Sequence, residues 1–294
     1  MIKDLYNTGK TVVSLEIFPP KKGQGTLESI TGKLEEFSTL SPDFISVTYG
    51  AGGSTTGSTC DIATLVRQEY GIESLAHLTC LTATRDEVAS TLDRLRDGGV
   101  ENILALRGDY PAGTSARDYA AGDFRYARDL ISFIQNRYGD AFSIGAACYP
   151  EGHPQARSLE ADIENLKAKA DAGADFLISQ LFYDNEQFYR FQEKVAKAGI
   201  SIPISAGIMP VVNVRQIHNI VTLCGATLPR KFLRIMDKYE DNPAALTEAG
   251  IMYAIDQIID LVTSDVAGIH VYTMNRPDVA KKICANISNI LKRG

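Results

Sequence analysis

The stretch VVSLEIFPPK, Val12 to Lys21, reads as a buried β-strand stopped by two prolines, with one carboxylate, Glu16, inside its apolar run. A strand with one wet face alternates polar and apolar residues, whereas a parallel strand covered on both faces reads as a near-continuous apolar run. This stretch is of the second kind. A carboxylate is expensive to bury unpaired, so either alternation turns Glu16 to water or the site has a use for it.

Working outward, the same kind of run recurs. Eight can be read: TVVSLEIFPP, FISVTYG, ESLAHLTC, NILALRGD, FSIGAACYP, FLISQLFYD, IPISAGIMP and GIHVYTMN. Each is followed by a polar or glycine-bearing loop and then by helical periodicity. Leu27 to Leu40 is one helical segment, and Arg85 to Asp97, stopped by Gly98-Gly99, is another. Ser158 with Glu160 and Asp162 marks a helix start, and Gly173 marks its end. Additional helical material is expected between Gln216 and Asp265, before the last strand. Eight βα units predict a TIM (β/α)8 barrel, one α/β domain spanning residues 1–294, in preference to a doubly wound open sheet, which usually has fewer strands.

The chain has 294 residues, 45% hydrophobic and 22% charged, with a formal charge of −6. That balance argues against nucleic acid or an anionic membrane as partner. No run approaches the ~20 apolar residues of a membrane span. MIKDLYNTGK at the start lacks the apolar core of a secretory signal. Five cysteines, Cys60, Cys80, Cys148, Cys224 and Cys284, are widely spaced with no Cys-x-x-Cys pair, which fits free thiols and a cytoplasmic location.

In a barrel, chemistry gathers at the carboxyl ends of the strands. Polar residues collect there: Glu16; Thr48 and Tyr49 before GAGGSTTGST; His77; Arg107-Gly108-Asp109; Tyr149 with His153; Gln180; and Arg276. Each also has a plain structural role open to it. Asp109 can initiate a turn, Gln180 can bond a backbone group, and His77 and His153 can be core histidines. No spacing suggests a metal site, and the glycine-rich loop matches neither a dinucleotide fingerprint nor a P-loop. No Gly-x-Ser-x-Gly elbow is present. Position alone supports a barrel enzyme of unspecified chemistry, and a non-catalytic barrel serving as a binding module is the other class to be tested.

The ordered motifs LEIFPPK, SVTYGAGGST, AHLTC, LRGDYP, CYPEGHPQA, FLISQLFYD, GIMPV and YTMNR, spread end to end, resemble the methylenetetrahydrofolate reductase family, specifically the bacterial type with the catalytic barrel alone. The resemblance implies an FAD enzyme that reduces 5,10-methylenetetrahydrofolate to 5-methyltetrahydrofolate with NADH or NADPH by a ping-pong scheme, supplying methyl groups for methionine synthesis. Another flavin-dependent barrel oxidoreductase is the alternative. Glu16 matches the family's general acid, kept protonated by its apolar surroundings, and Asp109 matches an aspartate near flavin and pterin. Gln180, Gln216 and Arg276 match folate contacts. For FAD the match gives Thr48, Tyr49, Ala51, His77, Arg107, Gly108 and Asp109, then Tyr126, Ala127, Tyr149, His153, Ala156, Asp162, Asn165 and Lys169. Ala168-Lys169 stands where the family carries two adjacent basic residues, which predicts one cation fewer on the phosphate side. A homo-oligomer without metal, nucleic acid or membrane partner is expected.

Overall fold

The eight apolar runs become eight strands: β1 Val12–Ile17, β2 Phe44–Val47, β3 Glu73–Thr79, β4 Asn102–Leu106, β5 Ser143–Cys148, β6 Phe176–Ser179, β7 Ile204–Ile208 and β8 Gly268–Tyr272. A computed structural model describes residues 1–20, 27–49, 56–110, 122–213, 221 and 224–291. Each strand pairs in parallel with the next, and β8 pairs with β1, so the sheet closes into a barrel in chain order. This is the (β/α)8 architecture expected from the unit count.

Helices follow the strands: α2 Leu27–Ser38, α3 Thr56–Tyr70, α4 Arg85–Asp97, α5 Ala127–Tyr138, α6 Leu159–Asp171, α7 Asn185–Lys197 and, after β8, α10 Pro277–Leu291. The expected extra helical material is α8 Arg230–Tyr239 and α9 Pro243–Thr263, between β7 and β8. Helix starts obey local chemistry. Thr84 and Glu87 form a reciprocal capping box on α4, and the Ser158 hydroxyl accepts the Ala161 N–H at 3.2 Å on α6. No helix among the described residues is long and apolar enough to cross a membrane.

Strand alternation sorts β1 into two environments. Leu15 and Ile17 face outward into the layer between barrel and helices, packed with Ile30, Leu34 and Phe37 of α2. Val12, Ser14 and Glu16 face the barrel interior. The lower interior is apolar, built from Val12, Phe44, Leu75, Leu104, Phe176 and Ile178. The upper interior is polar, and Ser14, Glu16, Ser46, His77 and His270 are all buried there.

The amino-terminal residues close the bottom of the barrel, a role the sequence reading did not assign. The short helix α1, Ile2–Leu5, buries Ile2 completely, and the Ile2 N–H donates to Asn102 Oδ1 at 2.8 Å. Tyr6 follows, with its hydroxyl 2.8 Å from Ser205 Oγ and its ring 5.5 Å from that of Phe176. Asn102 in turn donates to Glu73 and to the Ser74 carbonyl. The floor is thereby packed and hydrogen-bonded, and the polar interior faces the mouth.

Candidate active site

Glu16 is the last inward residue of β1. Its Oε2 lies 3.4 Å from Nε2 of His270 on β8 and 3.5 Å from Nε2 of His77 on β3. A serine meets each imidazole, on the far nitrogen of His270 and on the Glu16-facing nitrogen of His77. Ser14 Oγ is 2.8 Å from His270 Nδ1, and Ser46 Oγ is 2.6 Å from His77 Nε2. Strand register sets this up, because Ser14 pairs with His270, and Glu16 with both Ser46 and Tyr272. The backbone at Glu16 is fixed from β8: the Thr273 hydroxyl donates to the Glu16 carbonyl at 2.6 Å. Asn275 accepts the Phe18 N–H and donates to the Phe18 carbonyl, each at 2.8 Å. It does so from a left-handed backbone, φ 56°, which Asn tolerates better than most residues.

Glu16 is therefore buried, as its run of apolar neighbours suggested, but those neighbours lie on the opposite face of the strand. What surrounds the carboxyl group is imidazole and hydroxyl. Burial pushes the His77 imidazole down to about 4, against the opposing pull of Glu16. His77 is thus neutral at neutral pH, and its 3.5 Å contact with Glu16 is not an ion pair.

This has a measurable consequence for stability. Unfolded His77 takes up a proton below about pH 6.5, whereas folded His77 resists until about 4. The stabilisation is complete above the unfolded value and is lost as pH falls through that window. Lowering the pH from about 7 to about 5 should cost on the order of 1–2 kcal/mol through this group. Urea unfolding at both pH values checks it, with a shallower loss expected for His77→Asn; an equal loss in the variant counts against this assignment.

A second feature is a cleft of about 530 Å³ between the ends of β4 and β5 and the helices α5 and α6. Arg107, Tyr126, Ala127, Tyr149, His153 and Ala156 line it, with Asp162, Asn165 and Lys169 from α6. The Asp162 carboxylate accepts the His153 N–H at 3.0 Å, ordering the loop after β5. Lys169 Nζ donates to the Ala147 carbonyl at 2.5 Å, and burial lowers its pKa. Burial likewise lowers His153 and raises Tyr149, whose rings meet edge to face at 4.6 Å. Arg107 donates to Gln155 Oε1 at 2.8 Å. Arg128, 5.0 Å from the Tyr126 ring, and Arg157 also line the cleft, adding cations where Ala168 adds none. Arg107, Arg128, Arg157 and Lys169 against Asp162 and Glu164 make a lining suited to an elongated anionic molecule.

The remaining expected residues are distributed as follows. Thr48 is buried at the end of β2, its carbonyl accepting the Thr59 hydroxyl at 3.0 Å, and Tyr49 is half-buried beside it. Gly108 has φ 83°, and a Cβ there would lie 2.9 Å from Thr79 Cβ, so glycine suits the turn. The Asp109 side chain is 89% exposed, 3.8 Å from Arg107. Gln180 follows β6 and accepts the Leu181 N–H on its own Oε1 at 2.9 Å. Arg276 is half-exposed and turned onto Asp278 by two hydrogen bonds of 2.9 and 2.7 Å. His77 sits with Glu16 in the barrel mouth. Ala51 and Gln216 lie outside the described residues. The five cysteines are free, and burial pushes the Cys148 thiol up to about 12, away from nucleophilic use. Among the described residues no cluster of His, Cys, Asp and Glu is arranged to hold a metal ion.

His270, Ser14 and Ser46 were not singled out in the sequence. The signal for them was alternation: each occupies an inward position of a strand that also carries a recognised mouth residue or faces one.

The chain is similar to known proteins over nearly its whole length. The family model described as methylenetetrahydrofolate reductase matches residues 1–288. The 5,10-methylenetetrahydrofolate reductase of Pectobacterium carotovorum is 35% identical over 94% of this chain and 90% of its own length. Its Escherichia coli counterpart is 34% identical with the same coverage. Methylenetetrahydrofolate reductase (NADH) 1 of Arabidopsis thaliana is 34% identical over 98% of this chain, which spans half the plant protein's length. A solved structure, an uncharacterized protein from Clostridium thermocellum that binds two copies of 5-methyl-5,6,7,8-tetrahydrofolic acid, shares the fold. It has a TM-score of 0.67 and 15% identity, and the match covers 99% of this chain and 98% of that one. The chain belongs to the methylenetetrahydrofolate reductase family.

Proposed function

We propose that the protein reduces 5,10-methylenetetrahydrofolate to 5-methyltetrahydrofolate with NADH or NADPH, using FAD held in the cleft between α5 and α6. Family membership supports the reaction, and one observation carries the mechanism. A carboxyl group, Glu16, stands in the barrel mouth with its backbone pinned and two imidazole Nε2 atoms within 3.5 Å of one oxygen.

The lining residues fit FAD chemically. Arg107, Arg128, Arg157 and Lys169 suit a diphosphate, and Asp162 and Asn165 suit ribose hydroxyls. When bound, FAD supplies the two-electron chemistry that lets nicotinamide and folate react in turn. The chain's own task is to move a proton. The substrate's methylene carbon bridges two nitrogens, N5 and N10. Its C–N10 bond breaks with the electron pair going to N10, which needs a proton as it departs. Glu16 delivers that proton, leaving an electrophilic iminium at N5 that accepts hydride at carbon. The exposed Asp109 carboxylate accepts hydrogen bonds from pterin amino groups, and Gln180 offers an amide to the same ring. Arg276 would have to exchange Asp278 for a glutamate carboxylate of the folate. A methyl group on a folate nitrogen is suited to methyl supply, as in methionine synthesis.

Three observations in sequence test this. The purified protein should be yellow, NADH or NADPH should bleach it without oxygen, and methylenetetrahydrofolate should then restore the colour. NADH is the first reductant to try, because the plant relatives are named as NADH enzymes. A protein that stays colourless after incubation with FAD, or that is bleached yet not recoloured by the folate, is not this enzyme.

A further inference from the structure

We infer that His270, locked in one tautomer by Ser14, is a positioning residue for Glu16: it holds one carboxyl oxygen and leaves the other to serve the substrate. The inference rests on the acid role proposed above for Glu16.

Ser14 Oγ lies 2.8 Å from His270 Nδ1 and 3.4 Å from the Ile269 carbonyl, and a hydroxyl has one proton to give. We assign it to the closer partner, Nδ1. With Nδ1 accepting, Nε2 carries the ring hydrogen, and it faces Glu16 Oε2 at 3.4 Å. Packing holds the ring in this orientation. His270 is wholly buried, stacked on Phe44 at 6.3 Å and met edge-on by Tyr272 at 5.1 Å.

His77 reaches the same oxygen from the other side, at 3.5 Å, but its Nε2 is 2.6 Å from Ser46 Oγ and is engaged there first. His270 is thus the imidazole whose Nε2 is directed to Glu16. Both rings address Oε2 and neither addresses Oε1. The anchored oxygen fixes the carboxyl plane, and the other oxygen carries the proton that moves. As that proton leaves, negative charge appears beside a donor already in place, which favours the transfer without any reorganisation. The titratable groups facing Glu16 are His77 from β3, and His270 and Tyr272 from β8. Burial holds His77 neutral and pushes the Tyr272 hydroxyl well up, so neither supplies a competing charge near neutral pH.

The test uses FAD-loaded wild type, His270→Leu, His270→Gln and Ser14→Ala. Anaerobic stopped-flow measures the nicotinamide and folate half-reactions across pH. Nitrogen-15 spectra of the imidazoles, only four in the chain, report which ring nitrogen carries hydrogen. His270→Leu should slow the folate half-reaction at saturating folate roughly 10-fold or more, with the nicotinamide half-reaction within about two-fold. The midpoint of the folate half-reaction's pH profile should move upward, because the departing proton leaves behind a less stabilised carboxylate. His270→Gln, which keeps an N–H donor, should recover most of the rate. Ser14→Ala should give intermediate kinetics and blur the single-tautomer spectrum.

An unmoved pH midpoint in His270→Leu overturns the positioning role, as does a parallel fall in both half-reactions. An unchanged spectrum in Ser14→Ala overturns the lock. Should His270→Leu not fold, His270→Gln and Ser14→Ala still decide the question. A wild type that cannot pass hydride to the folate refutes the proposed function instead, and the spectra remain informative about the lock.

Discussion

A Glu16→Gln protein is expected to be reduced by nicotinamide at close to the normal rate and to fail in passing hydride to the folate. Glutamine keeps the volume and the hydrogen-bonding shape of the residue, so the burial of position 16 and its contacts with the two imidazoles survive in altered polarity. What is lost is an ionisable proton. The nicotinamide half-reaction moves hydride without needing a proton at N10, whereas the folate half-reaction cannot open the ring without one. General acids contribute about 10²–10⁴-fold, and the folate half-reaction should fall by that order in rapid-mixing experiments. The nicotinamide half-reaction should stay within a few-fold. Equal losses would mean that Glu16 shapes the flavin pocket and does not act as an acid.

The strands were legible because parallel strands buried on both faces leave continuous apolar runs, and the runs holding Leu15, Ile45, Leu78 and Val271 do so. The extra helices before β8 were legible from periodicity. Neighbours across space were not. Leu15 and Ile17 flank Glu16 in the chain yet face the helices, while its true neighbours, His77 and His270, arrive from strands that closure alone brings together. Closure brings the imidazoles of both histidine-bearing strands to the height of Glu16, and no local pattern encodes that. Helix α1 escaped notice for another reason: four residues carry no periodicity, and Ile2 shows its importance only against Asn102 of β4. The cleft lining was reached through family resemblance, because Asp162 and Lys169 read by themselves as ordinary helix polar residues.

Gly207→Ala is expected to be among the most destabilising small substitutions in the barrel, and its cost should appear at the active-site mouth. Gly207 lies on β7 beside His270 in the strand register, and its N–H donates to Ser179 Oγ at 2.9 Å. The ring of Tyr272 crosses over it so that the hydroxyl can donate to the Ser179 carbonyl at 2.7 Å. A Cβ at position 207 would collide with that carbonyl oxygen and would stand 2.8 Å from Cε2 of Tyr272. The carbonyl belongs to a paired strand and cannot swing aside, so β7 must shift, and the tyrosine ring must also give way at the expense of its hydrogen bond. Overpacking of this kind costs about 1–3 kcal/mol, and a hydrogen bond adds about 1, giving roughly 2–4 kcal/mol in urea unfolding. Tyr272→Phe should cost only about the hydrogen bond. Because both substitutions act on the same contact, the double variant should lose less than the sum of the two. Strict additivity, or a Gly207→Ala protein as stable as the parent, would show that the strand has room the packing does not reveal. A displaced Tyr272 would also loosen the edge-on support of His270, so Gly207→Ala should slow the folate half-reaction more than the nicotinamide one.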